Sequence, residues 1–108
     1  GRVRSNQGPS PSMREGKQKQ LGVAIGAALR HLREKSGLSQ EELGFRFGLH
    51  RTYVSLLERG GRIPSVPTLL SLGEYLGASP VELMRLVERE LSGIGSSPAD
   101  RRKRKSRH

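Results

Sequence analysis

The chain has 108 residues, with 20 Lys and Arg against 10 Asp and Glu, a formal net charge of +10, 32% hydrophobic residues and no cysteine. That length suits one small domain with tails, and the absence of thiols excludes a disulfide framework and any thiolate metal site. No apolar run approaches the roughly 18 residues of a membrane span and no signal pattern opens the chain, so the expectation is a soluble cytoplasmic protein without a membrane partner.

The positive excess sits at the two ends. Residues 1–19 hold Arg2, Arg4, Arg14, Lys17 and Lys19 against Glu15, and residues 101–108 hold six Lys or Arg, whereas residues 20–100 carry nine basic and nine acidic side chains. A basic binding face on the folded part therefore has to come from uneven placement of charge.

In chain order, residues 1–19 are rich in Gly, Pro, Ser and charge with little to bury, and the expectation is a disordered basic segment. Met13 is the first methionine, which leaves a vector-derived origin open for residues 1–12; a basic arm reaching a DNA groove is the functional alternative. Leu21, Ile25, Ala28, Leu29 and Leu32 then recur at helical spacing, predicting a first helix from about Leu21 to Lys35, stopped at Gly37.

Ser39 and Glu42 have the spacing of a capping box, so a second helix starts there. Leu43 and Phe47 share one face of it, and Gly48 ends it. In the run that follows, Val54 and Leu57 fall on one side and Arg51, Thr52, Ser55 and Arg59 on the other. Two short helices around a glycine turn have the layout of a helix-turn-helix, and Gly44 supplies the small residue that a close crossing demands.

The segment RGGRIPS, residues 59–65, reads as a loop. Ser65 caps a fourth helix, Val66 to Leu76, with Val66, Leu69, Leu72 and Leu76 facing inward and Gly73 allowing close packing. Ser79, Pro80 and Glu82 start a fifth, running to about Leu91. Its apolar residues exceed one stripe, and Val81, Met84, Val87 and Leu91 are the candidate contacts of a homodimer. Residues 93–108 read as a disordered basic tail, either a solvated charge run or a non-specific phosphate contact. The folded domain thus spans residues 20–92.

Catalysis is not expected. His31, His50 and His108 are scattered, with no companion at ligand spacing, so neither a metal site nor a cofactor is implied, and Glu41, Glu42 and Glu58 have cap or ion-pair roles.

Residues 37–83, GLSQEELGFRFGLHRTYVSLLERGGRIPSVPTLLSLGEYLGASPVEL, resemble the Xre/Cro-type helix-turn-helix regulators of phage and bacteria, and HRTYVSLLERG is especially similar to controller proteins of restriction-modification systems. The apolar positions of that family fall on Leu43, Phe47, Leu49, Val54 and Leu57, its small residue on Gly44 and its turn glycine on Gly48. The resemblance implies an all-α, compact five-helix, phage-repressor-like domain with the helix-turn-helix as helices 2 and 3. It implies a transcriptional regulator binding double-stranded DNA as a homodimer; an antitoxin-like module with a further protein partner is the alternative on the same fold.

For individual residues, the resemblance implies base contacts from Arg51, Thr52 and Ser55 and phosphate contacts from Gln40, Tyr53, Arg62, Arg59 and Arg46. It also implies a structural ion pair between Arg33 and Glu58. Tyr53 has a packing role as its alternative. The sequence departs from the family pattern at His50, where Ser or Thr usually caps the third helix, and at Leu56, where some relatives place a polar base contact.

Overall fold

The computed structural model describes residues 11–95, with side-chain environments from 16 to 94. Helices α1 (Pro11–Lys35), α2 (Gln40–Phe47), α3 (Arg51–Glu58), α4 (Val66–Tyr75) and α5 (Pro80–Gly95) follow one another, and no strand occurs among the described residues. The expectations for residues 1–10 and 96–108, including the basic run from Arg101, lie outside the described residues.

Local signals in the chain set these boundaries. Ser39 Oγ accepts from the Glu42 N–H at 3.0 Å while the Glu42 carboxylate accepts from the Ser39 N–H at 2.8 Å, closing the capping box that starts α2. Gly48 ends that helix with φ 76°, a left-handed conformation that costs a glycine little. Ser65 caps α4 by accepting from the Thr68 N–H, and Ser79 and Glu82 form a second reciprocal box at the start of α5.

The core is one cluster built on α1. Ala24, Ile25, Ala28, Leu29 and Leu32 meet Leu43 of α2, Val54 and Leu57 of α3, Leu69 and Leu72 of α4, and Leu83 and Val87 of α5. Leu57, Leu72 and Leu83 are fully enclosed, and each contributes about 1.5–3 kcal/mol through burial of its side chain. No buried side-chain nitrogen or oxygen among the described residues lacks a hydrogen-bond partner.

Several expectations are corrected here. Helix α1 begins at Pro11 and not near Leu21, so residues 11–19 are helical where disorder was expected. Residues 16–20 bury nothing; the extension rests on a run of Met, Arg, Glu, Lys and Gln, good helix formers that prolong a helix already nucleated by the packed part. At the other end α5 continues past Leu91 to Gly95. Val66 is 66% exposed and faces solvent, because the first turn of α4 projects beyond the core. Val87, expected at a subunit contact, is only 5% exposed and belongs to the core: it lies one helical turn after Leu83 on the same buried stripe.

Candidate nucleic-acid interface

Helix α3 is held against the rest of the molecule from two sides, and what remains free is its polar face. On the inner side, its C-terminal turn rests on a notch in α1 made by Gly22 and Gly26. A Cβ at Gly26 would lie 2.6 Å from the Glu58 carbonyl oxygen and closer still to that of Leu57, and one at Gly22 would lie 3.0 Å from the Gly60 carbonyl oxygen. Any side chain at Gly26 would push the two helices apart. Reading the sequence did not single out this pair, although four-residue glycine spacing inside GVAIG, beside the apolar stripe, marks such a notch.

A second anchor is polar. Arg33 donates from Nε to Glu58 Oε2 at 2.6 Å and from Nη2 to Glu58 Oε1 at 3.0 Å. Its Nη1 donates to the Leu38 carbonyl at 2.8 Å, and Gln40 Nε2 donates to Glu58 Oε1 at 3.0 Å. The last residue of α3 is thereby tied to α1, to the α1–α2 turn and to the start of α2. The Arg33 and Glu58 side chains are 10% and 4% exposed, so the bidentate pair is shielded from solvent. Donation to the Glu58 carboxylate raises the Arg33 pKa, and the burial opposing it does not cancel that effect.

The α2–α3 turn completes the positioning. A Cβ on Gly44 would lie 2.5 Å from the Leu49 carbonyl oxygen and 3.4 Å from the Arg51 nitrogen, so α2 can carry only glycine under the start of α3 at this separation. His50 is the N-cap of α3: its Nδ1 accepts from the Thr52 N–H at 3.1 Å. The imidazole does what Ser or Thr does elsewhere in this position. The Thr52 hydroxyl also meets Nδ1, and since an accepting nitrogen has no proton to give there, the hydroxyl donates.

The residues singled out from the sequence divide into groups. Arg51, Thr52 and Arg59 are exposed and Ser55 is half-buried on the free side of α3, with Arg62 exposed in the loop that follows. Arg59 Nε donates to the Ser55 carbonyl at 3.4 Å. Leu56 folds back over Gly61, where an added Cβ would lie 2.5 Å from its Cδ1. Tyr53 is half-buried and packs against the core. Gln40 gives its amide to Glu58 and is half-buried.

Arg46 stands apart from the others. It lies on the flank of α2 that faces α4, where its hydrogen bond to the Tyr75 oxygen raises its pKa, beside the edge-to-face pair of Phe47 and Tyr75 at 6.1 Å. On α5, Val81 is 59% and Met84 43% exposed, while Leu91 is half-buried against the core.

Residues 24–86 match the family described as helix-turn-helix domain, which is more than half of the chain. The chain belongs to that family. Relatives within the family include an uncharacterized HTH-type transcriptional regulator, y4dJ of Sinorhizobium fredii, 47% identical over 60 residues, covering 56% of this chain and 78% of the relative. The control protein C.BamHI of Bacillus amyloliquefaciens is 42% identical over 65 residues, covering 59% and 80%. Among solved structures, the restriction-modification controller protein C.Esp1396I, as a tetramer in complex with its natural 35 base-pair operator, has a TM-score of 0.59 at 27% identity, covering 66% of this chain and 93% of that one. The chain is thus a helix-turn-helix DNA-binding regulator of the controller-protein type, in a family of regulators and not of enzymes.

Proposed function

We propose that this protein is a sequence-specific transcriptional regulator that binds its operator as a homodimer, laying α3 into the major groove of two half-sites. The observation that carries the reading is the free polar face of α3, Arg51, Thr52 and Ser55, on a helix braced from behind by Gly26 and by the Arg33–Glu58 pair. Rigid support of this kind is what base reading requires, since a contact misplaced by an ångström is lost.

Within this reading Arg51 pairs bidentately with a guanine, a contact worth about 1–3 kcal/mol of discrimination. Thr52, its proton committed to His50, offers oxygen lone pairs to a base amine and its methyl to a thymine. Ser55 is the third reader, one turn on. Arg59 and Arg62 flank the helix and neutralise phosphates, with the Tyr53 hydroxyl and the α2 N-terminus at Gln40 beside them. Arg46 has the weakest claim to a phosphate, given its place beside Tyr75.

The dimer contact centres on Val81 and Met84 with Leu91 at its edge. It would set the two copies of α3 about 34 Å apart, one turn of duplex.

Selection of bound sequences from a random duplex pool tests the reading. The expected outcome is one recovered site with two-fold symmetry; a pool with no preferred sequence would overturn specific regulation, and a single unsymmetrical half-site would overturn the dimer.

A further inference from the structure

The face of α1 opposite α3 carries a second concentration of positive charge. Between α1 and α5 runs a groove of about 310 Å³, with His31 and Lys35 on one wall and Arg85 and Arg89 on the other. Both pairs are spaced i, i+4, so each stacks along its own helix and the two ridges face each other. His31 and Lys35 flank Arg33 by two residues on either side, which turns them about 200° away from the side chain that holds α3. The groove is therefore distinct from the surface assigned to DNA. On α5 Met84 lies across the buried stripe from Arg89, whereas Val81 stands one turn before Arg85 at the mouth of the groove.

These cations outnumber the acid beside them: Glu82 lines the groove and its charge interacts with Lys35 and Arg85, leaving a positive excess. Residues 20–100 carry equal numbers of basic and acidic side chains, yet among the described residues no carboxylate lies within 4.0 Å of Lys35, Arg85 or Arg89, the two ion pairs being Arg30–Glu34 and Arg33–Glu58. Glu34, next to Lys35 in sequence, is engaged with Arg30. Glu82 is the acid lining the groove, and its carboxylate is turned to the Ser79 N–H at 2.9 Å. Leu32 and Leu86 form an apolar floor, which strengthens electrostatic attraction above it.

We propose that this groove is a binding site for a small phosphate-bearing anion with at least two negative charges. Two guanidinium forks one turn apart, roughly 5–6 Å at their Cβ atoms, suit adjacent phosphoryl groups, each able to take paired N–H donors. Lys35 supplies a point charge opposite them. A ligand seated here bridges α1 and α5, the two helices that respectively support α3 and present Val81 and Met84.

The test uses the full chain and inorganic pyrophosphate at constant ionic strength, followed by residue-resolved NMR that includes the arginine Nε–H signals. The expected result is a saturable shift of the Arg85 and Arg89 signals and of the amides around Lys35. The double change Arg85→Gln and Arg89→Gln should weaken binding at least tenfold without altering the thermal melt, and Lys35→Gln alone should weaken it severalfold. Non-saturating shifts, saturation confined to residues 1–19 and 101–108, or unchanged binding in these variants would overturn the proposal. So would displacement of pyrophosphate from the Arg85 and Arg89 signals by operator duplex, because the groove would then be part of the DNA surface. The pyrophosphate titration itself needs no DNA, so its failure leaves the operator reading untouched.

Discussion

Arg33 near the end of α1 and Glu58 at the end of α3 are joined by two hydrogen bonds of 2.6 and 3.0 Å across 25 residues of chain. The same carboxylate also holds Gln40, so one acidic group fixes the angle between the supporting helix and both helices of the helix-turn-helix. Removing one partner strands the other in a shielded site. Glu58→Ala is expected to cost about 3 kcal/mol, as breaking a buried pair does, and Arg33→Met with Glu58→Leu should recover much of it. Urea unfolding of Arg33→Met, Glu58→Leu and the double variant checks this through the coupling energy; additive losses would remove the pair as the anchor.

The notch at Gly26 makes a steric prediction. Gly26→Ala places a methyl group against two backbone carbonyls of α3, and overpacking of a fixed interface costs about 1–3 kcal/mol. Gly16→Ala is the control, since nothing lies within 4 Å of its added Cβ; there the better helix former should gain about 0.5–1 kcal/mol. Thermal denaturation of both variants should give opposite signs, and DNA affinity should fall only for Gly26→Ala.

His50→Ala removes the cap of α3 and should cost about 1 kcal/mol, whereas His50→Ser, which supplies the usual hydroxyl, should cost little. Amide hydrogen exchange at Thr52 reads this directly: its N–H is the one that His50 holds. Equal protection in wild type and His50→Ala would mean that the imidazole does not cap.

The two capping boxes predict an acid limb. Backbone hydrogen bonding from Ser39 holds the Glu42 carboxyl below its ordinary range, and Ser79 does the same for Glu82. A folded-state pKa below the unfolded one means that the stabilisation is complete above the unfolded value and disappears as pH falls through the folded one. Stability should therefore be level around neutrality and decline below about pH 4.3, the ordinary glutamate value. In Glu42→Gln with Glu82→Gln this part of the decline should shrink, as measured by thermal melts from pH 7 to pH 3.

Arg51 and Arg62 should differ in kind. Arg51→Ala is expected to relax preference at one base position by about 1–3 kcal/mol. Arg62→Ala should weaken all duplexes alike and reduce the slope of log affinity against log salt by about one. Binding to the selected site and to single-base variants of it, at several salt concentrations, separates the two; a shared pattern would contradict the assignment.

Much of the architecture was legible in short-range sequence signals. Ser39 with Glu42, Ser79 with Glu82, and Gly48 act within one or two turns, and Leu43, Val54, Leu57, Leu69 and Leu72 declare their buried faces through helical spacing. The start of α1 was misread because residues 11–19 have no apolar periodicity; their helix depends on propensity and on a neighbour already folded. Val87 was misassigned for a related reason. Periodicity shows that α5 has more apolar residues than one stripe holds, but not which of them the core takes.

The amino-acid order by itself determined five helices, the helix-turn-helix between Ser39 and Glu58, and the set of side chains on the outer face of α3, because caps, turns and amphipathic spacing are local. Only the tertiary structure decided how that face is aimed. The seat of α3 on Gly22 and Gly26, the bond from Gln40 to the Arg33–Glu58 pair and the basic groove of Lys35, Arg85 and Arg89 all depend on distances between helices. Those distances are set by packing of the whole core at once, and no window of the chain contains them.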